Sequence, residues 1–243
     1  MKIAVFLYGE YRQFELAVNI YKDKLSSYNP DYYVSSWDYS REKCELGTYD
    51  EEHIVTEDKI KKYLPNAVIS LRKDKGRDRF TTKIYEHIHV CADMCRDSGK
   101  DYDVIIVKRI DEFEIFEDSL LSDIDINSLY TDSGLSDGIT FDFCDLFFYG
   151  GYKPVLQFID EFYAKILENP KIFVHSTPDK FLYHSDISVK KFPEKVILCL
   201  IRPHMVDLFK NCKSYSGVAD IRKGWGQLIG EWYDVLKYSK SKV

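Results

Sequence analysis

Three carboxylates close an apolar run in "YDVIIVKRIDEFEIF", residues 102 to 116, where Asp111, Glu112 and Glu114 follow directly on Lys108 and Arg109. A carboxylate at the ligand-binding edge of a sheet can hold a divalent cation. Mg²⁺ typically takes one or two protein carboxylates and completes its shell with water and substrate phosphate oxygens. That chemistry suits a nucleotide diphosphate. On spacing alone a plainer alternative stands, that acidic residues after a strand face water.

Other positions could serve the same chemistry. In "YGEYR" Gly9 lets backbone approach a ligand closely, and Arg12 offers a planar fork of donors suited to phosphate. The alternative for this pair is a turn glycine and a solvated arginine. Arg79 and Lys83, four apart on one helix, are weaker phosphate or base contacts beside the reading of a solvated helix face. Arg202 in "LIRPH" follows an apolar run and could meet a diphosphate. Trp37 in "SSWD" could line a nucleotide pocket or belong to the core. His87, Cys91 and Cys95 share a helical face, but they lie on an apolar stripe and read as packing. His175, His184 and His204 follow no zinc spacing.

The elements that must position these residues are legible from periodicity. Residues 2 to 8 are a β-rich apolar run, and "FELAVNIYKDKL" takes up helical spacing after a break at "GEYRQ". "DYYVSSW" (31 to 37) and "NAVISL" (66 to 71) read as strands after the turn-forming Asn29-Pro30 and after Pro65. Residues 79 to 98 carry Ile84, Ile88, Cys91 and Cys95 as one stripe, a long helix leading into a strand at 103 to 109. Residues 104 to 107 are continuously apolar, as in a strand covered on both faces. This alternation predicts an α/β fold with a mostly parallel central sheet flanked by helices, its ligands gathered at the carboxyl ends of strands. Further on, strands are expected at 138 to 142, 145 to 149 and 195 to 201. A turn is expected at Gly150-Gly151, helices at 154 to 168 and 178 to 186, and an amphipathic tail at 220 to 238 within a helical end segment, about 205 to 243, that packs back on the domain.

Composition bounds what such a chain can do. Its 243 residues, 45% apolar and 15% aromatic, can bury a substantial core, and no linker divides them, so one domain is expected. A formal charge of −6 argues against general nucleic-acid binding, because phosphate-backbone affinity needs clustered Lys and Arg. Six cysteines without a CxxC pair or a signal peptide read as free thiols in a reducing, cytoplasmic setting. No run approaches the roughly 18 apolar residues of a transmembrane segment. No GxSxG, Walker loop, GxGxxG or HExxH occurs, which removes the common hydrolase, ATPase, dehydrogenase and metalloprotease readings.

Four stretches in order carry a family resemblance. "YDVIIVKRIDEF" resembles the "YD-apolar-apolar-R-x-R-x-D" segment of short glycosyltransferase-like proteins of GT-A type from bacterial surface-polysaccharide clusters and large viruses. "IAVFLYGEYRQF", "YNPDYYVSSWD" and "DLFFYGGYKPVLQF" resemble, in turn, their opening strand, their second strand and their later strand and helix, over scattered parts of residues 2 to 158. The resemblance implies a Rossmann-like GT-A domain, a nucleotide-sugar donor (UDP-sugar favoured), a glycan or small hydroxyl acceptor, and Mn²⁺ or Mg²⁺ at the end of the fourth strand. GT-A enzymes usually carry Asp-x-Asp there. Here Arg109-Ile110-Asp111 supplies only the last acid and Asp111-Glu112-Phe113 only the first, so Asp111 is the metal position, with Glu112 or Glu114 assisting. Lys83 and Arg109 join Gly9, Arg12 and Arg202 as expected donor contacts.

The same resemblance makes Asp145 a partner for sugar hydroxyls and Gly150 a point of close approach to the sugar. Capping or turn duty is the alternative for Asp145. In "HSTPDKFLYHSD" Ser176 or Thr177 reads as an N-cap and Pro178 as the first turn, where Asp179 suits the helix dipole. In inverting enzymes of this type a carboxylate at such a helix start is the general base, which makes Asp179 the expected base. Two rivals share the fold: a nucleotidyltransferase, and a protein that binds a nucleotide sugar without turning it over. On this reading Asp111→Asn weakens metal-dependent nucleotide binding with little effect on folding.

Overall fold

Strands that are apolar along their whole length need cover on both faces. The computed structural model describes residues 1–11, 14–43, 49–73, 80–115, 121, 123–131, 147–169, 177–192 and 197–200. The elements in chain order are β1 (Ile3–Gly9), α1 (Phe14–Leu25), β2 (Asp31–Trp37), β3 (Tyr39–Lys43), β4 (Tyr49–Ile54), α2 (Glu57–Lys61), β5 (Val68–Arg72) and α3 (Phe80–Asp97). There follow β6 (Val104–Arg109), β7 (Glu112–Ile115), β8 (Ser128–Thr131), β9 (Phe147–Gly151), α4 (Tyr152–Glu168), α5 (Thr177–Tyr183), β10 (Ser188–Lys191) and β11 (Ile197–Leu200).

Seven strands form the central sheet in the order β10-β8-β9-β6-β1-β2-β5. β5, β2, β1 and β6 run parallel, β9 runs antiparallel to both of its neighbours, and β10 is parallel to β8. Alternation along each strand divides the core in two. Ile3, Val5 and Leu7 of β1 and Val104 and Ile106 of β6 pack with Phe14, Ala17, Val18, Tyr21 and Leu25 of α1. Ala4, Phe6 and Tyr8 with Ile105 and Val107 face the other way, against α3 and α4. The stripe predicted on α3 is this second contact: Ile88, Cys91 and Cys95 are all fully buried. The mostly parallel, helix-flanked sheet expected from sequence is therefore the observed architecture.

Several local expectations are corrected. Gly150 and Gly151 do not turn; they complete β9, and Gly151 is the N-cap of α4. A Cβ on Gly150 would run into the Ser128 carbonyl and stand 3.0 Å from Leu129 Cα, so the missing side chain makes room for β8 and not for a sugar. Gly150 also pairs with Ile105, toward the amino end of β6. The strand at 195 to 201 exists as β11, but it joins β7 in a separate antiparallel pair. The sequence reading gave no sign of the β3-β4 hairpin, β7, β8 or β10. The strand expected at 138 to 142 and the tail at 220 to 238 lie outside the described residues. Among those described, no helix is long and apolar enough to cross a membrane.

Candidate functional site

Parallel register fixes which residues share the carboxyl edge. Trp37 is paired with Arg72, Gly9 with Ser36, and Tyr8 with Arg109, so the strand ends present Arg72, Trp37, Gly9 and Arg109 as a row across β5, β2, β1 and β6. Gly9 has φ +107°, a conformation that L side chains rarely adopt, and a Cβ built there meets nothing within 4 Å among the described residues. Among the described residues the backbone is therefore open at the point where a ligand could approach it closely. Ile110 extends the β1-β6 ladder by one bond, donating to the Tyr8 carbonyl at 2.9 Å.

Asp111 follows that bond and is neither solvated nor alone. Arg109 Nε donates to Oδ1 at 3.0 Å and Nη2 donates to Oδ2 at 2.9 Å, a bidentate fork. The side chains are 18% (Arg109) and 3% (Asp111) exposed, so the pair is largely withdrawn from water. The plain reading of these acids as a hydrated strand end thus fails for Asp111. A carboxylate has about four lone-pair sites. The fork occupies one site on each oxygen, and a cation held there would take its other ligands from phosphate oxygens and water. Among the described residues no group of three His, Cys, Asp or Glu side chains could hold a metal by itself. Lys108, one residue earlier, points to the α1 face: it is fully buried, its ammonium 4.2 Å from the centroid of the Tyr21 ring.

At the other end of the row, α3 lies over β2. Lys83 places its ammonium 5.2 Å from the Trp37 ring centroid. One turn on, His87 Nδ1 is 2.7 Å from the Ser35 hydroxyl and the ring meets Trp37 nearly perpendicular, with centroids 4.2 Å apart. Burial, reinforced by the nearby charges of Arg72 and Lys83, brings the His87 pKa down to about 3, so the ring is neutral. Arg72 in turn pairs with Glu86 at 2.6 Å. Cys91, a turn past His87, lies within 3.5 Å of the Tyr33 carbonyl, and burial pushes its thiol well above the ordinary range, which makes it an inert packing group.

The structure brings Gly9, Lys83, Arg109 and Asp111 to this one edge. Asp179 stands in the first turn of α5, whose Phe181 packs on Phe158 and Phe162 of α4. Its side chain, like Arg12, Arg79, Asp145, His175, Arg202 and His204, lies outside what is described. Glu112 and Glu114 belong to β7, opposite Leu200 and Leu198 of β11. Sequence reasoning missed the buried Lys108 and the contact of His87 with Ser35. The first breaks an apolar strand and was visible as an anomaly; the second needs the register between α3 and β2, which no local pattern carries.

No family model and no curated protein sequence matches the chain. Among solved structures the fold is similar to the glycosyltransferase GlyE of Streptococcus pneumoniae TIGR4, at 14% identity over 77% of this chain and 44% of that one, with a TM-score of 0.42. It is similar to a nucleoside-diphosphate-sugar pyrophosphorylase of Vibrio cholerae RC9, at 11% identity over 86% and 99% of the two chains, with a TM-score of 0.44. A third likeness is to a glycosyltransferase involved in glycosylation of the major capsid of PBCV-1, at 8% identity over 79% and 81%, with a TM-score of 0.47. The chain spans less than half the length of the pneumococcal protein.

Proposed function

We propose that the chain transfers a sugar from a nucleoside-diphosphate donor, with UDP favoured, to a hydroxyl of a glycan or small acceptor. The observation that carries this reading is the row of strand ends: an open glycine backbone at Gly9 between the half-buried indole of Trp37 and the guanidinium of Arg109, with Asp111 held against Arg109. Ligands of open α/β sheets bind beyond the carboxyl ends of the strands. An indole suits a base, and glycine backbone with arginine suits a diphosphate. The ordered sequence resemblance to GT-A proteins supports the same assignment.

In this reading Gly9 admits the diphosphate to the backbone, and Arg109, Arg12, Lys83 and Arg202 offset its charge. Asp111 would hold Mn²⁺ or Mg²⁺, which when bound supplies further neutralisation of the leaving group. The acceptor oxygen forms a bond to the anomeric carbon, the bond from that carbon to the diphosphate oxygen breaks with its electron pair, and the hydroxyl proton passes to the Asp179 carboxylate. Asp145 hydrogen-bonds sugar hydroxyls. A reducing, cytoplasmic setting belongs to the same proposal, supported by Cys91 and Cys95, which are free and buried.

The Arg109 fork on Asp111 favours a second reading, in which the nucleotide sugar is bound and not turned over. A thermal-shift panel of UDP, GDP and CMP, each with Mn²⁺ or Mg²⁺, tests binding, and stabilisation by none of them sinks the proposal. Release of free UDP from UDP-sugar and acceptor excludes the non-catalytic reading. Pyrophosphate release from a nucleoside triphosphate and a sugar phosphate would instead establish a nucleotidyltransferase.

A further inference from the structure

Residues i and i+2 of a strand share a face, so Ser35 and Trp37 of β2 both look toward the helix that covers it. His87 of α3 touches both, the hydroxyl through Nδ1 at 2.7 Å and the indole through a perpendicular ring contact at 4.2 Å. Lys83, one turn earlier, approaches the same indole at 5.2 Å, so a single helix holds Trp37 from two positions four apart. His87 itself is 1% exposed. A histidine serving packing alone would have its polar atoms satisfied by the protein. His87 Nε2 has no hydrogen-bond partner among the described residues. With the ring neutral, Ser35 can donate to Nδ1, the tautomer that leaves the proton on Nε2.

An indole at a strand end has two free torsions, and a stacking platform serves a base only when those torsions are fixed beforehand. We infer that His87 is a positioning residue for nucleobase recognition, fixing the Trp37 indole as the surface on which the base of the donor nucleotide stacks. This rests on the reading of the carboxyl edge as a nucleotide site. Stacking on an aromatic side chain changes affinity by about fivefold to 150-fold per base when the side chain is removed. Loosening the platform forfeits part of that, about tenfold, and leaves diphosphate contacts unchanged.

The test measures Kd for the tightest-binding of UDP, GDP and CMP, and separately for inorganic pyrophosphate, in wild type, His87→Ala, His87→Asn and Trp37→Ala, each shown by circular dichroism to be folded at the assay temperature. His87→Asn keeps a polar atom near the Nδ1 position for Ser35 but removes the ring that meets Trp37. Expected are a nucleotide Kd raised about tenfold in both His87 variants, at least as much in Trp37→Ala, no further rise when Trp37→Ala and His87→Ala are combined, and a pyrophosphate Kd within about twofold of wild type throughout. Nucleotide affinity unchanged in folded His87→Ala, or nucleotide and pyrophosphate weakened alike, overturns the inference and leaves the proposed function standing. A wild-type protein that binds neither UDP, GDP nor CMP overturns both. The Trp37 emission, taken as the difference from Trp37→Phe in each background, then still reports whether His87 holds the indole.

Discussion

Asp111→Asn is the substitution for which structure and sequence lead to different expectations. Sequence alone predicts a nearly unperturbed fold. The structure shows a carboxylate 3% exposed, with both oxygens taken by one guanidinium that is itself 18% exposed. Asparagine keeps the shape but presents one oxygen and one NH₂ to the fork, so one hydrogen bond becomes a meeting of two donors and the arginine loses the charge of this partner. Breaking a buried ion pair by removing one partner costs about 3–5 kcal/mol. Water reaches Arg109 in part, which lowers the figure to about 2–3 kcal/mol, or roughly 4–12 °C in Tm for a chain of this size. Arg109→Met takes the fork from the more deeply buried carboxylate and should cost more. The double variant Arg109→Met/Asp111→Leu should recover most of the loss, because an apolar pair has no uncompensated charge. The assay is a double-mutant cycle in urea, repeated with UDP and Mn²⁺. The wild-type gain from the ligand pair should be absent in every variant lacking Asp111. Additive single effects, or an Asp111→Asn protein melting within 1 °C of wild type (a margin below about 0.5 kcal/mol), would refute the claim that the fork holds this strand end together.

Two further outcomes follow from buried groups. His87 has its folded pKa lowered from 6.5 to about 3, so the unfolded chain binds the extra proton between those values and stability must fall as pH drops through that window. Between pH 7.5 and pH 5 the wild type should lose about 2 kcal/mol more than His87→Asn in urea titrations, and equal losses in the two proteins would show that His87 is not buried neutral. Gly150→Ala forces a methyl group into the Ser128 carbonyl and within 3.2 Å of Val155 Cγ2. It should destabilise by about 3 kcal/mol without altering nucleotide Kd at temperatures where the protein is folded, since the clash is with β8 and away from the carboxyl edge. A loss of affinity without a loss of stability would return Gly150 to the sugar site.

The parts of the fold legible in sequence were those in which burial on one or both faces leaves a periodic mark. β2 has the expected bounds, Asp31–Trp37, and β1 and β6 differ from expectation by a residue at most ends because their apolar runs stop where cover stops. The β3 and β4 strands, "YSREK" and "YDEEHI", carry almost no such mark, and β8 and β10 are four residues each. Paired glycines at the end of β9 gave the right residue type and the wrong reason: close approach of a neighbouring strand and a tight turn both call for the absence of a Cβ.

The site divides along the same line. An acid at the end of an apolar strand was visible, and so was an arginine two residues before it; what spacing could not give was that the two meet. Once they do, the choice for Asp111 is no longer between a hydrated carboxylate and a metal ligand, because a carboxylate withdrawn from water is costly without a counter-charge beside it. Arg109 supplies it from the same strand end, through two hydrogen bonds that also fix the direction of the carboxylate. Such a residue is oriented before any ligand arrives and has little conformational freedom left to lose when one does. In the proposed function this is the state required of a group that meets a cation and a diphosphate together, and it makes the arginine at the place of the usual first acid a partner of Asp111 in the site.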